Sequence, residues 1–265
     1  MLQITRQKSH ELWTISSPTR GNGLGTTLAK LIFSAAQDSS SEGPLVITAK
    51  PITTSKGQIW VAGGDLIELS TIESKSAGRS YAELMSKAFL ALHESKRMII
   101  TAVDGAAIGG GAELALVGDV RLATQESSFE FKQLKAGLAT GYGSARRLVD
   151  LIGLARSERL LYLCETLSAK EAEAIGLIHR VLVNAKELTT EIESICKHFA
   201  EVSPEGLSAQ KQMFRAAVEA GSHNARQKEL DLFTGIWGNP KHQEFLSSFK
   251  AKNSSASGSG KHDSK

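Results

Sequence analysis

Residues 104–116 read Asp-Gly-Ala-Ala-Ile-Gly-Gly-Gly-Ala-Glu-Leu-Ala-Leu and follow the apolar run MIITAV at 98–103. A β-rich run, a glycine-rich turn and an Ala/Leu-rich segment predict strand, turn and helix. The first N–H groups of such a helix lack intrahelical partners, and its dipole favours negative charge there. Glycine is needed where φ is positive or a ligand must approach the backbone closely. Glu113 lies three residues after Gly110, in the first helical turn. Either it complements the helix dipole, or it is a buried carboxylate beside an oxyanion-type pocket, able to move protons. A second glycine pair, Gly63–Gly64, sits in Trp60-Val-Ala-Gly-Gly-Asp-Leu66. Asp65 is placed there to cap a following helix.

Outward from this segment, short β-like runs alternate with helical stripes. Glu11–Ser16, LVITA at 45–49 and Asp119–Ala123 predict strands. Leu24, Leu28, Leu31, Ile32 and Ala35 recur at helical spacing, as do Tyr81, Leu84, Met85, Ala88, Phe89 and Leu92. The alternation argues for an α/β fold. Ser168 and Glu171 form a capping-box pattern, Gly176 can close that helix, and Leu177–Val183 is a last strand. Residues 188–202, 204–220 and 223–237 read as helices, and 253–265 is a low-complexity tail.

Composition excludes several classes. With 41% hydrophobic residues over 265 positions the chain is globular and able to bury a core. Cys164 and Cys196 are too few for a disulfide scaffold or a four-cysteine zinc site. No apolar run is long enough to span a membrane, and no secretory leader is visible, so a cytoplasmic location is expected. The net charge of +3 comes from Lys250, Lys252, Lys261 and Lys265 against Asp263, so no nucleic-acid-binding face is indicated. G-x-G-x-x-G, G-x-x-x-x-G-K-[ST] and G-x-S-x-G are all absent, and no His/Asp/Glu cluster has metal-ligand spacing.

Taken in order, AGGD at 62–65, AVDGAAIGGGAELAL at 102–116, DVRLA at 119–123, SFEFKQLKAGLATGYGSARRL at 128–148 and LSAKEAEAIGLIHRVL at 167–182 resemble the crotonase superfamily of enoyl-CoA hydratases and isomerases. FTGIWGNPKHQEFLSSF at 233–249 is similar to that family's closing helices. The resemblance implies a ClpP-like spiral of ββα units over 1–187, a C-terminal helical region over 188–252 that makes oligomer contacts, and a disordered tail over 253–265. It implies a homotrimer or dimer of trimers acting on an acyl-CoA thioester. Coenzyme A then enters with the substrate, and neither a separate cofactor nor a metal is expected.

By the same resemblance, Gly64 and Gly110 supply the two N–H groups of an oxyanion hole, Ala62 meets the adenine, and Glu113 is the acid/base. Gly63, Asp65, Leu66, Gly109, Thr140, Gly141, Tyr142 and Lys252 would contact the CoA or acyl group. Thr140 and Tyr142 are open to a second reading as plain turn residues. Leu66, Leu69, Tyr81 and Leu84 suit an acyl-pocket wall and equally a core. Arg146 and Arg147 would pair at a helix or lie near the CoA phosphates.

The hydratases' second glutamate falls on Gln133, and Lys132 replaces their preceding proline. Glutamine can hold a water but cannot exchange a proton near neutral pH. Three functions therefore remain: hydration with Gln133 orienting the water, enolate chemistry such as a double-bond shift or decarboxylation using Glu113 alone, and silent acyl-CoA binding or assembly. Glu130 would supply the missing acid if its loop were helical.

Overall fold

The computed structural model of the chain describes residues 1–38 and 43–219. The chain opens with β1 (Leu2–Arg6), β2 (Glu11–Ile15) and α1 (Thr26–Ala36). It then winds through β3 (Leu45–Ala49), β4 (Ile52–Thr54), β5 (Gly57–Val61), α2 (Leu66–Leu69) and α3 (Lys75–His93). The next turn is β6 (Ile99–Val103), β7 (Ala106–Ile108) and α4 (Gly110–Ala115). A third holds β8 (Val120–Thr124), β9 (Ser128–Glu130), α5 (Ser144–Ile152) and α6 (Leu154–Leu163). β10 (Thr166–Ser168), α7 (Ala169–Ala174), β11 (Arg180–Leu182), α8 (Ala185–Phe199) and α9 (Pro204–Glu219) complete it.

Two sheets result, ordered β1-β2-β3-β6-β8-β11 and β10-β9-β7-β5-β4. Successive turns give one strand to each sheet: β3 then β5, β6 then β7, β8 then β9. Like strands pair in parallel; α2–α3, α4 and α7 return the chain to the first sheet, while α5–α6 lead to β10 of the second. This is the ββα spiral expected from the resemblance. A single core joins Trp13 and Ile15 of the first sheet, Trp60 and Phe129 of the second, and Ile32, Met85 and Phe89 of α1 and α3. A first compact unit spans Met1–Glu201, and a second begins at Val202, of which α9 is the described helix.

The expected strands at 11–16, 45–49, 98–103, 119–123 and 177–183 appear as β2, β3, β6, β8 and β11. The Ser168–Glu171 capping box is formed, and Gly176, at φ +81°, follows the end of α7. Leu24 departs from expectation. It precedes α1 and forms an isolated parallel bridge with Gly64. The helix over 223–237, the 233–249 segment, Lys252 and the 253–265 tail lie outside the described residues.

Candidate active site

β5 and β7 are parallel neighbours, with Val61 opposite Ala107. The glycine turns that follow them, Gly63–Gly64 and Gly109–Gly110, therefore emerge side by side. Gly63 has φ +102°, and a Cβ there would fall 2.9 Å from the Ile108 carbonyl oxygen and 3.5 Å from the Gly110 nitrogen. Gly109 has φ +53° at the N-cap of α4. At both positions a side chain would be strained, and at Gly63 it would also collide.

Two backbone bonds fix the first turn. The Leu24 N–H donates to Gly63 O at 2.7 Å, and the Asp65 N–H to Leu24 O at 3.0 Å. This pattern skips the Gly64 N–H. Gly110 opens α4, so its N–H has no intrahelical acceptor. Among the described residues neither N–H has a protein acceptor.

A polar staple holds the rim. Asp65 caps α2, its Oδ1 accepting from Ile67 N–H at 3.1 Å and Glu68 N–H at 3.2 Å, while Arg20 Nη1 donates to Oδ2 at 2.5 Å. Burial pushes the Asp65 pKa up, but the Arg20 and backbone hydrogen bonds outweigh it and the net shift is downward. Glu68 in turn accepts the Thr26 N–H at 3.0 and 3.2 Å, capping α1, whose N-cap Gly25 has no side chain to do so. Asp65 is thus committed to the scaffold. Leu66 is 77% exposed, and the half-buried Ala62 donates its N–H to Gly21 O at 2.9 Å.

Glu113, 1% exposed in α4, is a buried carboxylate rather than a solvated dipole partner. Gln133 Nε2 donates to its Oε1 at 2.7 Å and the Tyr142 N–H to its Oε2 at 3.2 Å. The Ser144 hydroxyl and the Gly141 N–H also favour its ionised form. Burial raises its pKa, and these surrounding polar groups only partly oppose the rise. The Gln133 Oε1 is buried without a partner.

Glu130 does not supply a second acid. It ends β9, not a helix; its carbonyl accepts the Gly109 N–H at 2.6 Å and its carboxylate is ion-paired with Lys132. Thr140 is half-buried and Gly141 exposed. Tyr142 takes part both through its backbone and through its ring, which packs edge-on against Phe89 (centroids 5.5 Å) and tilted against Tyr81 (6.4 Å). Arg146 pairs with Asp150 at 2.9 Å, and Arg147 contacts His93 and the Gly118 carbonyl.

Sequence reading missed Ser144, Arg20 and the Tyr81 hydroxyl. Tyr81 reads as one member of an apolar stripe, yet its hydroxyl donates to Leu24 O at 2.5 Å. Ser144 is the first residue of α5, following the left-handed Gly143, and the Gly-Ser step of GYGSARR was the available signal.

Residues 14–256 match the model of the enoyl-CoA hydratase/isomerase family. The chain is 26% identical over 241 residues to the short-chain-enoyl-CoA hydratase of Clostridium acetobutylicum, covering 90% of each chain. It is 27% identical over 237 residues to the human ethylmalonyl-CoA decarboxylase, covering 88% of this chain and 76% of that one. The crystal structure of an enoyl-CoA hydratase from Bacillus anthracis shares its fold, with a TM-score of 0.86 over 95% of this chain and 96% of that one at 22% identity. Ordered motifs, spiral topology and a family match over nearly the whole length agree: the chain belongs to the enoyl-CoA hydratase/isomerase family of the crotonase superfamily.

Proposed function

We propose that the protein stabilises the enolate of an acyl-CoA thioester between Gly64 and Gly110, with Glu113 as its proton carrier and hydration of a 2-enoyl-CoA as its reaction. One observation carries this reading: two acceptor-free N–H groups stand on adjacent glycine turns beside a buried carboxylate. A thioester carbonyl oxygen accepting both N–H groups gains negative charge as water adds at C3, and each donor is worth about 10²–10³ in rate. The unpartnered Gln133 Oε1 supports the water's place, since it can accept one water proton while Glu113 accepts the other.

Glu113 begins with two donors, Gln133 Nε2 and the Tyr142 N–H, which leaves it a lone pair for the water proton. The hydroxide oxygen bonds to C3, the double-bond electrons move onto the thioester oxygen, and protonated Glu113 returns its proton to C2. One carboxyl thus serves as base and then acid.

The amide at position 133 favours a second reading, decarboxylation of a carboxyacyl-CoA. There CO₂ leaves, its bond electrons form the same enolate, and Glu113 protonates C2. A water-activating second carboxylate is then unnecessary. Purified protein should hydrate crotonyl-CoA, followed by loss of enoyl absorbance, and Glu113→Gln should abolish it. Carbon dioxide release from ethylmalonyl-CoA with no hydration would replace the first reading by the second. Tight CoA-ester binding without product from either substrate would leave a binding protein and overturn both.

A further inference from the structure

We propose that Tyr81 and Tyr142 wall off the acyl end of the site and restrict it to short acyl chains. This inference rests on the thioester reading and adds the substrate's length. The two tyrosines are the aromatic side chains nearest the paired glycines. A Cβ on Gly64 would fall 3.3 Å from Tyr81 Oη, and one on Gly110 would fall 3.0 Å from Tyr142 Cε2. Leu69 and Leu24 stand beside them, at 2.6 Å from the first position and 3.2 Å from the second.

The wall is fixed rather than loose. Tyr81 is 6% exposed, anchored by its bond to Leu24 O, and its ring lies tilted against that of Tyr142. Behind Tyr142 stands Phe89, 3% exposed, in edge-to-face contact. The Tyr142 backbone is held by its N–H bond to Glu113, and its ring is held between Phe89 and Tyr81. An acyl chain leaving a carbonyl held at Gly64 and Gly110 meets these rings after a few carbons. Methylenes beyond that wall are left in water and gain nothing.

The test is calorimetric titration with CoA and with acetyl-, butyryl-, hexanoyl- and decanoyl-CoA, saturated esters that do not turn over by hydration. In the wild type, affinity should climb about fourfold per buried methylene from acetyl to butyryl. It should then stop, with decanoyl-CoA no tighter than butyryl-CoA. In Tyr142→Ala the climb should continue, making decanoyl-CoA at least about tenfold tighter than in the wild type. A steady rise to decanoyl-CoA in the wild type would overturn the wall, and that series decides even if the variant fails to fold. An unchanged break in a folded Tyr142→Ala would overturn it too. No binding of CoA or any ester would overturn the thioester reading itself, which is a different result from length-independent binding.

Discussion

Gln133 Nε2 donates to Glu113 Oε1 at 2.7 Å, joining the 3-10 turn after β9 to the first turn of α4 across 20 positions of sequence. The bond sets a neutral amide against a buried carboxylate. It stabilises the ionised form of Glu113 without competing for its proton. A carboxylate in place of the amide could not remain ionised beside Glu113 at this distance, and the pair would share a proton.

Gln133→Glu should therefore raise the hydration rate of crotonyl-CoA by about 10²-fold, the lower end of what one positioned acid or base contributes. Loss of enoyl absorbance is the readout. An unchanged rate in a folded variant would show that position 133 does not limit the reaction.

The pH profile carries a second expectation. The Glu113 pKa is raised above 4.5, mainly by burial. In the proposed hydration its ionised form is the base, so kcat/KM should rise with pH through a limb lying above 4.5. Gln133→Ala removes a donor to the ionised form and should move that limb to higher pH. Stability runs the other way. An acid whose folded pKa exceeds its unfolded one favours folding below the unfolded value and loses that contribution as pH rises through the folded value. Relative to Glu113→Gln, the wild type should thus lose stability to urea as pH rises from 4.5.

Gly111 and Gly141 should respond oppositely to alanine. A Cβ on Gly111 would lie 2.2 Å from the Val61 carbonyl oxygen, where α4 packs against β5. Both atoms belong to regular elements that cannot yield, so Gly111→Ala should cost at least about 3 kcal/mol or prevent folding. A Cβ on Gly141 would meet nothing within 4 Å, and Gly141→Ala should stay within about 0.5 kcal/mol. Urea denaturation distinguishes the two, and a stable Gly111→Ala would contradict the close approach of α4 to β5.

What the sequence disclosed depended on element length. All five strands read from it lie in the six-stranded sheet, and four of them are five-residue runs with a clear apolar signal. In the second sheet β4, β7, β9 and β10 are three residues long, too short for periodicity to register, and the five-residue β5 (GQIWV) is buried only at Trp60 and Val61. The two glycine turns and the burial of Glu113 were legible since glycine turns and a lone acid in an apolar helix are local signals, whereas the pairing of Gly64 with Gly110 was implied only by the resemblance. The Arg20–Asp65 pair was not, because its partners are 45 residues apart and meet only once Leu24 bridges Gly64. Pattern alone also left Glu130 open, and its place on a strand with Lys132 decided it.

That Arg20–Asp65 staple yields the last expectation. Asp65 caps α2 beside the turn that aims the Gly64 N–H. Asp65→Ala should cost about 1 kcal/mol through the lost cap. Arg20→Ala should cost less, since the guanidinium end is 42% exposed and solvent screens the pair. The catalytic consequence should separate from the structural one. An N–H that moves by a fraction of an ångström weakens the enolate more than the ground-state thioester, so kcat should fall about tenfold in Asp65→Ala while KM changes little. Asp65→Asn keeps a capping oxygen and should recover most of both losses. If Asp65→Ala lost stability but kept its kcat, the staple would serve the fold without positioning Gly64.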